Sequence, residues 1–541
     1  MEKTLVHIAR KGSSFLSACT LLSLGVLFVI LFAQSLEADL FYNQAFMTYL
    51  AYLINEHGFI LYQDFFEFNM PLSYLFHIII GKLFGYSATA FKVVHVLWLV
   101  LLFFITWFLM KAMGKTVAIA SYLLFGVIYL NFGAELLLER DIIAITPIAV
   151  AALVATSSRL NHRKKQSQFL IGLFMALATL IKPYLLIGLP LFILYSTIEK
   201  NFHTQSMLLF FKKLFMGSFM ALLGFLLPIS ITFIWLWKLA ALTPFLDMLQ
   251  YYVPIYRILD HPEFANSYER ITYFFKLASD FFFKRNFFHI MQRSTELIGA
   301  LLGTAICLMV CSSRIKKRQW LLFATAIFYI IAISITGKFW AYYWMPFNYF
   351  ACLCTAMVFV SARFIPMEKM SSLKQWSLVL LKSAACLLIL SKTVYTFIQL
   401  SNNRTPPQRI VTNPYYTNVA EIATYLNEHL EPHDKVQPLD WIAGGAIHGM
   451  LQAKAVVATP YVTDFQFYYH DSNPYVQQLR QDFMLKLKKA QPRFIIDSPV
   501  LRILSGKHVN YNFPALEAFI EKNYTLDFTG ERNLKIYKRN P

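Results

Sequence analysis

Charge is scarce in this sequence. Asp, Glu, Lys and Arg make up 15% of its 541 residues, where a soluble domain carries about 25%. With 57% of residues hydrophobic, that scarcity excludes a single soluble globule. Cysteine is scarce too. Cys19, Cys307, Cys311, Cys352, Cys354 and Cys386 all lie in or beside apolar runs, and none follows residue 386. The C-terminal tail therefore has no disulfide framework and no thiolate zinc site, and Cys352 and Cys354 read as packing within an apolar helix. Several motifs are also missing. No A-x-A cleavage site follows the first apolar run, which reaches Phe32 and is too long for a signal peptide, so it reads as a retained span. No Lys/Arg stripe interleaved with aromatics occurs in a polar segment, so the net charge of +19 does not indicate nucleic acid as a partner. No glycine-rich phosphate loop follows a strand-like run. Gly444-Gly445 and His448 are too slight a signal for a nucleotide site.

What is present is a series of apolar runs, most long enough to cross a hydrocarbon core of about 30 Å. They fall at roughly 14–34, 89–110, 117–133, 141–157, 168–181, 183–198, 214–236, 297–313, 319–336, 341–361 and 374–397. The expected fold is thus a polytopic α-helical membrane protein with about 11 transmembrane helices. The fifth and sixth runs meet at Ile181-Lys182-Pro183 and are compatible with a tight hairpin or one bent segment. With the N-terminus in the cytoplasm, the inside segments carry 19 Lys and Arg, and their only acids are Glu2, Glu199 and Glu368. The short outside loops carry one base each: Arg140, Lys182 and Lys338. That asymmetry obeys the positive-inside rule and puts the tail outside.

Two outside loops are long, at about 35–88 and 237–296. The first holds two amphipathic stretches, Tyr42–Asn55 and Pro71–Phe84. The second of these opens on a proline suited to a helix start, and both read as interfacial helices. Composition divides the chain into a membrane module, 1–398, and a small extracytoplasmic α/β domain, 399–541. In that domain helical patterns at Thr417–Leu430, Pro474–Lys489 and Phe513–Lys522 alternate with strand-like runs at Lys435–Leu439, Ala455–Thr459, Arg493–Asp497 and Asn533–Lys538. Its plainest role is a cap that shapes the entrance to the membrane site.

Acids gather at the outer ends of the apolar runs. Glu37 and Asp39 follow the first run, and Asp64 and Glu67 lie in loop one. Glu135, Glu139 and Asp141 precede the fourth run. Ionisable groups at membrane depth are costly and are functional candidates by default; the ordinary alternatives are solvated loop positions and, for Asp141, a helix N-cap. Lys182 and Lys338 are the cationic counterparts. A lysine there can simply snorkel, or its compact ammonium can hold a phosphate oxygen.

Short motifs carry a resemblance. They are Glu37-Ala-Asp39 with Tyr42, then Gly58 … Tyr62-Gln-Asp64 … Glu67 … Pro71, then Asp141, Thr179-Leu-Ile-Lys182-Pro183, and Lys338 … Tyr342-Tyr343-Trp-Met-Pro346. Over about residues 15–360 the chain resembles the GT-C fold glycosyltransferases of the protein-mannosyltransferase and aminoarabinose-transferase superfamily. The resemblance implies a polyprenyl-phosphate sugar donor and inverting transfer, outside the inner membrane, to an envelope glycan, lipid or protein. It makes Asp39 the catalytic acid residue, with Asp141 a second site acid and Glu37 an alternative to Asp39. Tyr42, Tyr62, Asp64, Tyr342 and Tyr343 would line the substrate site. Lys182 and Lys338 would hold the donor phosphate with Arg257 or Arg270. Glu67 and His261 would ligate a divalent metal such as Mg, Mn or Zn. Two features depart from the family: Phe68-Asn69-Met70 stands before Pro71 where a basic-proline or double-proline form is usual, and Ala38 separates Glu37 from Asp39 where the family has an adjacent acid pair.

Displacing a sugar from phosphate needs a base at the acceptor hydroxyl and cationic help for the leaving phosphate, and carboxylates and lysines on one face would supply both. A transporter or flippase of lipid-linked sugars would show internal repeats and mid-membrane charges, and neither is clear. An O-antigen ligase or polymerase would have an Arg- and His-rich large loop, whereas loop two has only His261 and His289. A non-catalytic scaffold leaves the outer acids without a use.

Overall fold

A computed structural model describes residues 2–157, 160, 163–198, 206–257, 268, 269, 271–273, 275, 276, 287–336, 340–360, 370–402, 413–498 and 509–541. The chain forms two compact units. One comprises Met1–Glu37, His95–Ser230 and Ser267–Arg404, and the other Ala38–Val94, Ile231–Asn266 and Thr405–Pro541.

The first unit is built of apolar helices, as lipid requires, because a helix satisfies its backbone hydrogen bonds internally. Among the described residues of the whole chain, four helices are long and apolar enough to cross a membrane: Ile8–Ser35, Ala88–Met113, Met207–Lys238 and Ser372–Asn402. Shorter apolar helices accompany them, including Lys115–Asn131 and Thr295–Val310, and the chain is a multi-pass membrane protein. Glu2–Ser35 packs along Ser372–Asn402, and Phe287–Val310 packs on Met345–Thr355. Lys164–Thr179 and Met207–Lys238 meet backbone to backbone. A Cβ on Gly172 would lie 1.8 Å from the Ala221 carbonyl oxygen, and one on Gly224 would lie 1.9 Å from that of Phe169. Such small-residue contacts are how apolar helices gain packing without a hydrophobic drive between them.

The fourth and sixth of the expected runs are among those that are broken. Residues 141–157 form a short helix, Arg140–Ile143, followed by Ile145–Thr156. The sixth begins as a 3-10 turn, Pro183–Gly188, before the helix Leu189–Thr197. Pro183 and Pro190 each occupy a helix start, where the missing N–H costs nothing. Lys164–Thr179 and Leu189–Thr197 pack on each other, so the fifth and sixth runs are two helices in a hairpin.

The second unit centres on a five-stranded sheet of order β2-β1-β3-β5-β4. Its strands are β1 Lys435–Leu439, β2 Val456–Val457, β3 Phe494–Asp497, β4 Tyr524–Thr529 and β5 Lys535–Arg539. β1 runs parallel to β2 and β3, while β5 is antiparallel to β3 and β4. Val436, Phe494, Ile495, Ile496 and Ile536 are fully buried in it, each worth about 1.5–3 kcal/mol of burial. Helices Pro414–His429, Pro474–Ala490 and Pro514–Asn523 match the helical patterns of the sequence. β4 and the helix Ala446–Gln452 do not appear in the sequence reading.

Loop one belongs to this unit. Its helix Asn43–His57 is buried over ten consecutive residues, Gln44 to Leu53, and packs on Pro71–Phe84 and on Ala446–Gln452. The expectation of an amphipathic helix with one face on lipid is corrected here: protein covers Asn43–His57 on both faces. The Tyr49 hydroxyl donates to the Ala455 carbonyl at 2.9 Å, and the Tyr52 hydroxyl to that of Lys454 at 3.0 Å. The Phe66 N–H donates to the Pro460 carbonyl at 2.9 Å.

Candidate active site

In the helical unit the broken fourth run exposes a reason for its break. Glu139 caps the short helix, its carboxylate accepting the Arg140 N–H at 3.2 Å. Asp141 is therefore not the cap, and its fully buried side chain serves elsewhere. The Tyr184 hydroxyl donates to it, and the Lys182 ammonium lies 3.6 Å away. Lys182 has extended backbone at the entry to the Pro183–Gly188 turn, which lifts it out of helical register. Its side chain is only 13% exposed. Its ammonium sits 5.6 Å from the Tyr342 ring centroid and 5.0 Å from that of Tyr343, and Tyr343 packs against Tyr184 at 5.4 Å. The unit thus gathers Asp141, Lys182, Tyr342 and Tyr343 from sequence positions 200 apart, and adds Tyr184. An ammonium with three donors, one carboxylate partner at 3.6 Å and aromatic walls can also hold an anion such as a phosphate ester. Glu37 lies in the turn just past the first helix, exposed, with its N–H on the Gln34 carbonyl at 3.1 Å.

In the other unit Asp39 is half-buried, and its Oδ1 accepts the Leu40 N–H at 2.7 Å. Its charge acts on Tyr415, Tyr416 and His448. Tyr42 turns the chain into the helix Asn43–His57 with a φ of +40°, a backbone rare outside glycine. Its ring stacks on Phe41 at 3.8 Å and meets Tyr415 edge-on at 5.1 Å. Beneath them Asp440 follows β1 and accepts the N–H groups of Gly444 and Ala446 at 2.8 and 2.9 Å. Burial holds the Asp440 carboxyl up at about 6, against the pull of those donors. Gly445, with φ +90°, leads directly into Ala446–Gln452 and brings His448 beside Tyr415, ring centroids 5.8 Å apart. Burial pushes the His448 imidazole down to about 4, so it is neutral at physiological pH.

Three of the expected site residues in the rest of loop one have partners within the loop. Asp64 Oδ2 accepts the Ile60 N–H at 2.7 Å and pins a turn. The Tyr62 hydroxyl donates to the Asn69 carbonyl at 2.5 Å. Glu67 is buried and accepts the Tyr74 hydroxyl at 2.5 Å. Among the described residues no three His, Cys, Asp or Glu groups could share a metal ion, and of the two expected metal ligands Glu67 alone is among those residues. His261, Arg270 and Lys338 lie outside the described residues. Arg257 ends the helix Val253–Arg257, and its side chain lies outside those described.

The sequence reading missed Tyr415, Tyr416, Asp440 and the placement of His448, which become site residues only through the contact of loop one with the tail. It also missed a partly buried ion pair in the helical unit, Lys392 with Glu296. A lysine inside an apolar run is the signal that points to it.

The fold is that of the GT-C membrane proteins, as its likeness to solved structures shows. Two solved structures share the fold along nearly the whole chain. The ArnT protein of Cupriavidus metallidurans bound to undecaprenyl phosphate matches with a TM-score of 0.55 at 11% identity, covering 96% of this chain and 98% of that one. The same protein in its apo state matches with a TM-score of 0.50 at 11% identity, covering 95% and 97%. No family model matches the sequence, and no curated protein does.

Proposed function

We propose that this chain is a membrane glycosyltransferase that moves a sugar from a polyprenyl-phosphate carrier to an envelope glycan, lipid or protein. The membrane module, 1–398, would cross the inner membrane about eleven times, with the N-terminus cytoplasmic and 399–541 extracytoplasmic. The observation that carries it is the Lys182–Asp141 pair walled by Tyr342 and Tyr343, set in a fold whose ArnT crystal structure holds undecaprenyl phosphate.

In the proposed reaction Asp39 takes the proton from an acceptor hydroxyl. The oxygen forms a bond to the anomeric carbon from the face opposite the phosphate. The bond from that carbon to the phosphate oxygen breaks, and the phosphate leaves with its electron pair, which Lys182 stabilises. Inversion follows from the single displacement. Asp141 and Tyr184 orient Lys182, and Lys338 is a second candidate for the phosphate. Glu37, exposed just past a helix end, is the weaker candidate for the base.

The test is Asp39→Asn in membranes supplied with a panel of radiolabelled undecaprenyl-phosphate sugars, the acceptor pool being envelope from cells lacking this chain. Transfer is expected to fall by roughly 10²–10⁴, the usual contribution of a general base, with protein level unchanged. Normal transfer by the variant would remove Asp39 as the base. Labelled lipid crossing sealed vesicles without a new glycosidic bond would make the chain a transporter.

A further inference from the structure

Around Asp39 the second unit assembles groups that the proposed donor chemistry does not use. Tyr415 and Tyr416 come from the first turn of Pro414–His429, and His448 from Ala446–Gln452. The rings of Phe41 and Tyr415 lie 4.9 Å apart, and those of Phe41 and Tyr416 5.7 Å. The Tyr416 hydroxyl is buried without a hydrogen-bond partner. His448 is 2% exposed. Its Nε2 faces the Gln452 amide nitrogen at 3.4 Å, which leaves the proton on Nδ1, and Nδ1 too is buried without a partner. Buried donors left unpaired cost about 1–3 kcal/mol each and are rare in native folds. Here three such atoms, the Tyr415 hydroxyl included, feel the charge of the same half-buried carboxylate.

We infer that Asp39, Phe41, Tyr42, Tyr415, Tyr416 and His448 form the acceptor subsite, and that its occupant is a neutral, hydroxyl-bearing sugar ring. The inference rests on the transferase reading and names the acceptor class. These six residues hold one carboxylate and no cation, so they repel a phosphate and suit an uncharged group. A sugar offers C–H faces to the aromatic rings and hydroxyls to both kinds of partner. The carboxylate accepts from the hydroxyl that will react, while the Tyr416 phenol and the His448 N–H donate to its neighbours. Sites built this way discriminate strongly, because an occupant without the hydroxyls leaves their polar atoms unpaired. Tyr416 and His448 are thus specificity-determining residues contributed by the C-terminal tail to chemistry centred on loop one.

The experiment uses the full-length protein in nanodiscs and reads binding by ligand-observed NMR. The probes are the methyl glycosides of glucose, galactose, mannose, arabinose and N-acetylglucosamine, with undecaprenyl phosphate titrated separately. Wild type is expected to bind at least one glycoside, and Tyr416→Phe and His448→Gln to weaken it about tenfold, the effect of one lost buried hydrogen bond. Affinity for undecaprenyl phosphate should stay within about twofold in both, which a general loss of structure would not allow. Equal glycoside affinity in wild type and Tyr416→Phe overturns the inference, as does no glycoside binding at all. So does a parallel loss of undecaprenyl phosphate in Tyr416→Phe. Should His448→Gln fail to fold, Tyr416→Phe, which deletes one oxygen, decides alone. Failure of wild type to bind undecaprenyl phosphate would instead count against the transferase reading itself.

Discussion

If the chain is the proposed transferase, Lys182 is the residue on which donor binding turns. Its only charged partner among the described groups within ion-pair reach is Asp141, 3.6 Å away, so it keeps donor capacity for a ligand. Lys182→Met should weaken undecaprenyl phosphate binding by roughly tenfold to a hundredfold, as expected for a hydrogen bond to a charged group. The same change strands Asp141 as a buried carboxylate, which is destabilising. The double variant Lys182→Met with Asp141→Asn should therefore recover melting temperature without recovering phosphate affinity. Recovery of both would make the lysine a structural partner only. Lys182 and Asp141 were legible in the sequence because each is an ionisable group set against a long apolar run. Tyr184 and the Glu296–Lys392 pair were not, since pairing across helices leaves no mark on local spacing. Asp64 and Tyr62, expected at the substrate site, also hold the loop itself, one through a turn and the other through a carbonyl.

The short helix Ala446–Gln452 shows how an element sets the chemistry of its residues. Asp440 ordinarily titrates near 3.8 and in the fold near 6. Between those values the unfolded chain has lost a proton that the fold keeps, so its contribution to stability falls as pH rises through that window. His448 moves the other way, from 6.5 to about 4. There the unfolded chain gains a proton that the fold refuses, so stability falls as pH drops. Each effect is on the order of 3 kcal/mol, and they largely cancel in wild type. His448→Gln removes one of them, so its melting temperature relative to wild type should rise by about 5 °C as pH falls from 6.5 to 4. A difference independent of pH would mean that His448 is not held neutral by burial. Most elements of this unit were legible, because alternating runs and N-terminal prolines mark strands and helices. β4 was not: it is an edge strand exposed along most of its length, so no apolar face betrays it. The helix Ala446–Gln452 is only seven residues long, too short to build a periodic pattern.

At the scale of the molecule the membrane class followed from apolar runs and the fold from the short motifs that carry the resemblance, whereas the grouping of loop one with the tail followed from neither. Amphipathic helices in an outer loop read equally well as lipid-facing or protein-facing, and only the partner decides. The proposed orientation has a direct check. A cysteine introduced at Glu531, exposed in the described tail, should react with a membrane-impermeant maleimide in spheroplasts, and one at Lys316 should not. Background will be low, since five of the six native cysteines are buried and the sixth, Cys19, lies within the first helix. Equal reactivity at both positions would put the tail and the basic loops on one side and dissolve the proposed enzyme.

The hydroxyls of Tyr49 and Tyr52 grip carbonyls at residues 455 and 454, and the amide of Phe66 grips that of Pro460. Natural or engineered recombination feels that grip. A chimera that exchanges everything after residue 404 for a homologue's sequence keeps the original loop, and mismatched tyrosines would face foreign backbone. Crossovers that carry residues 38–94 together with the tail preserve the match, so the two stretches form one inheritable cassette although more than 300 residues of chain separate them.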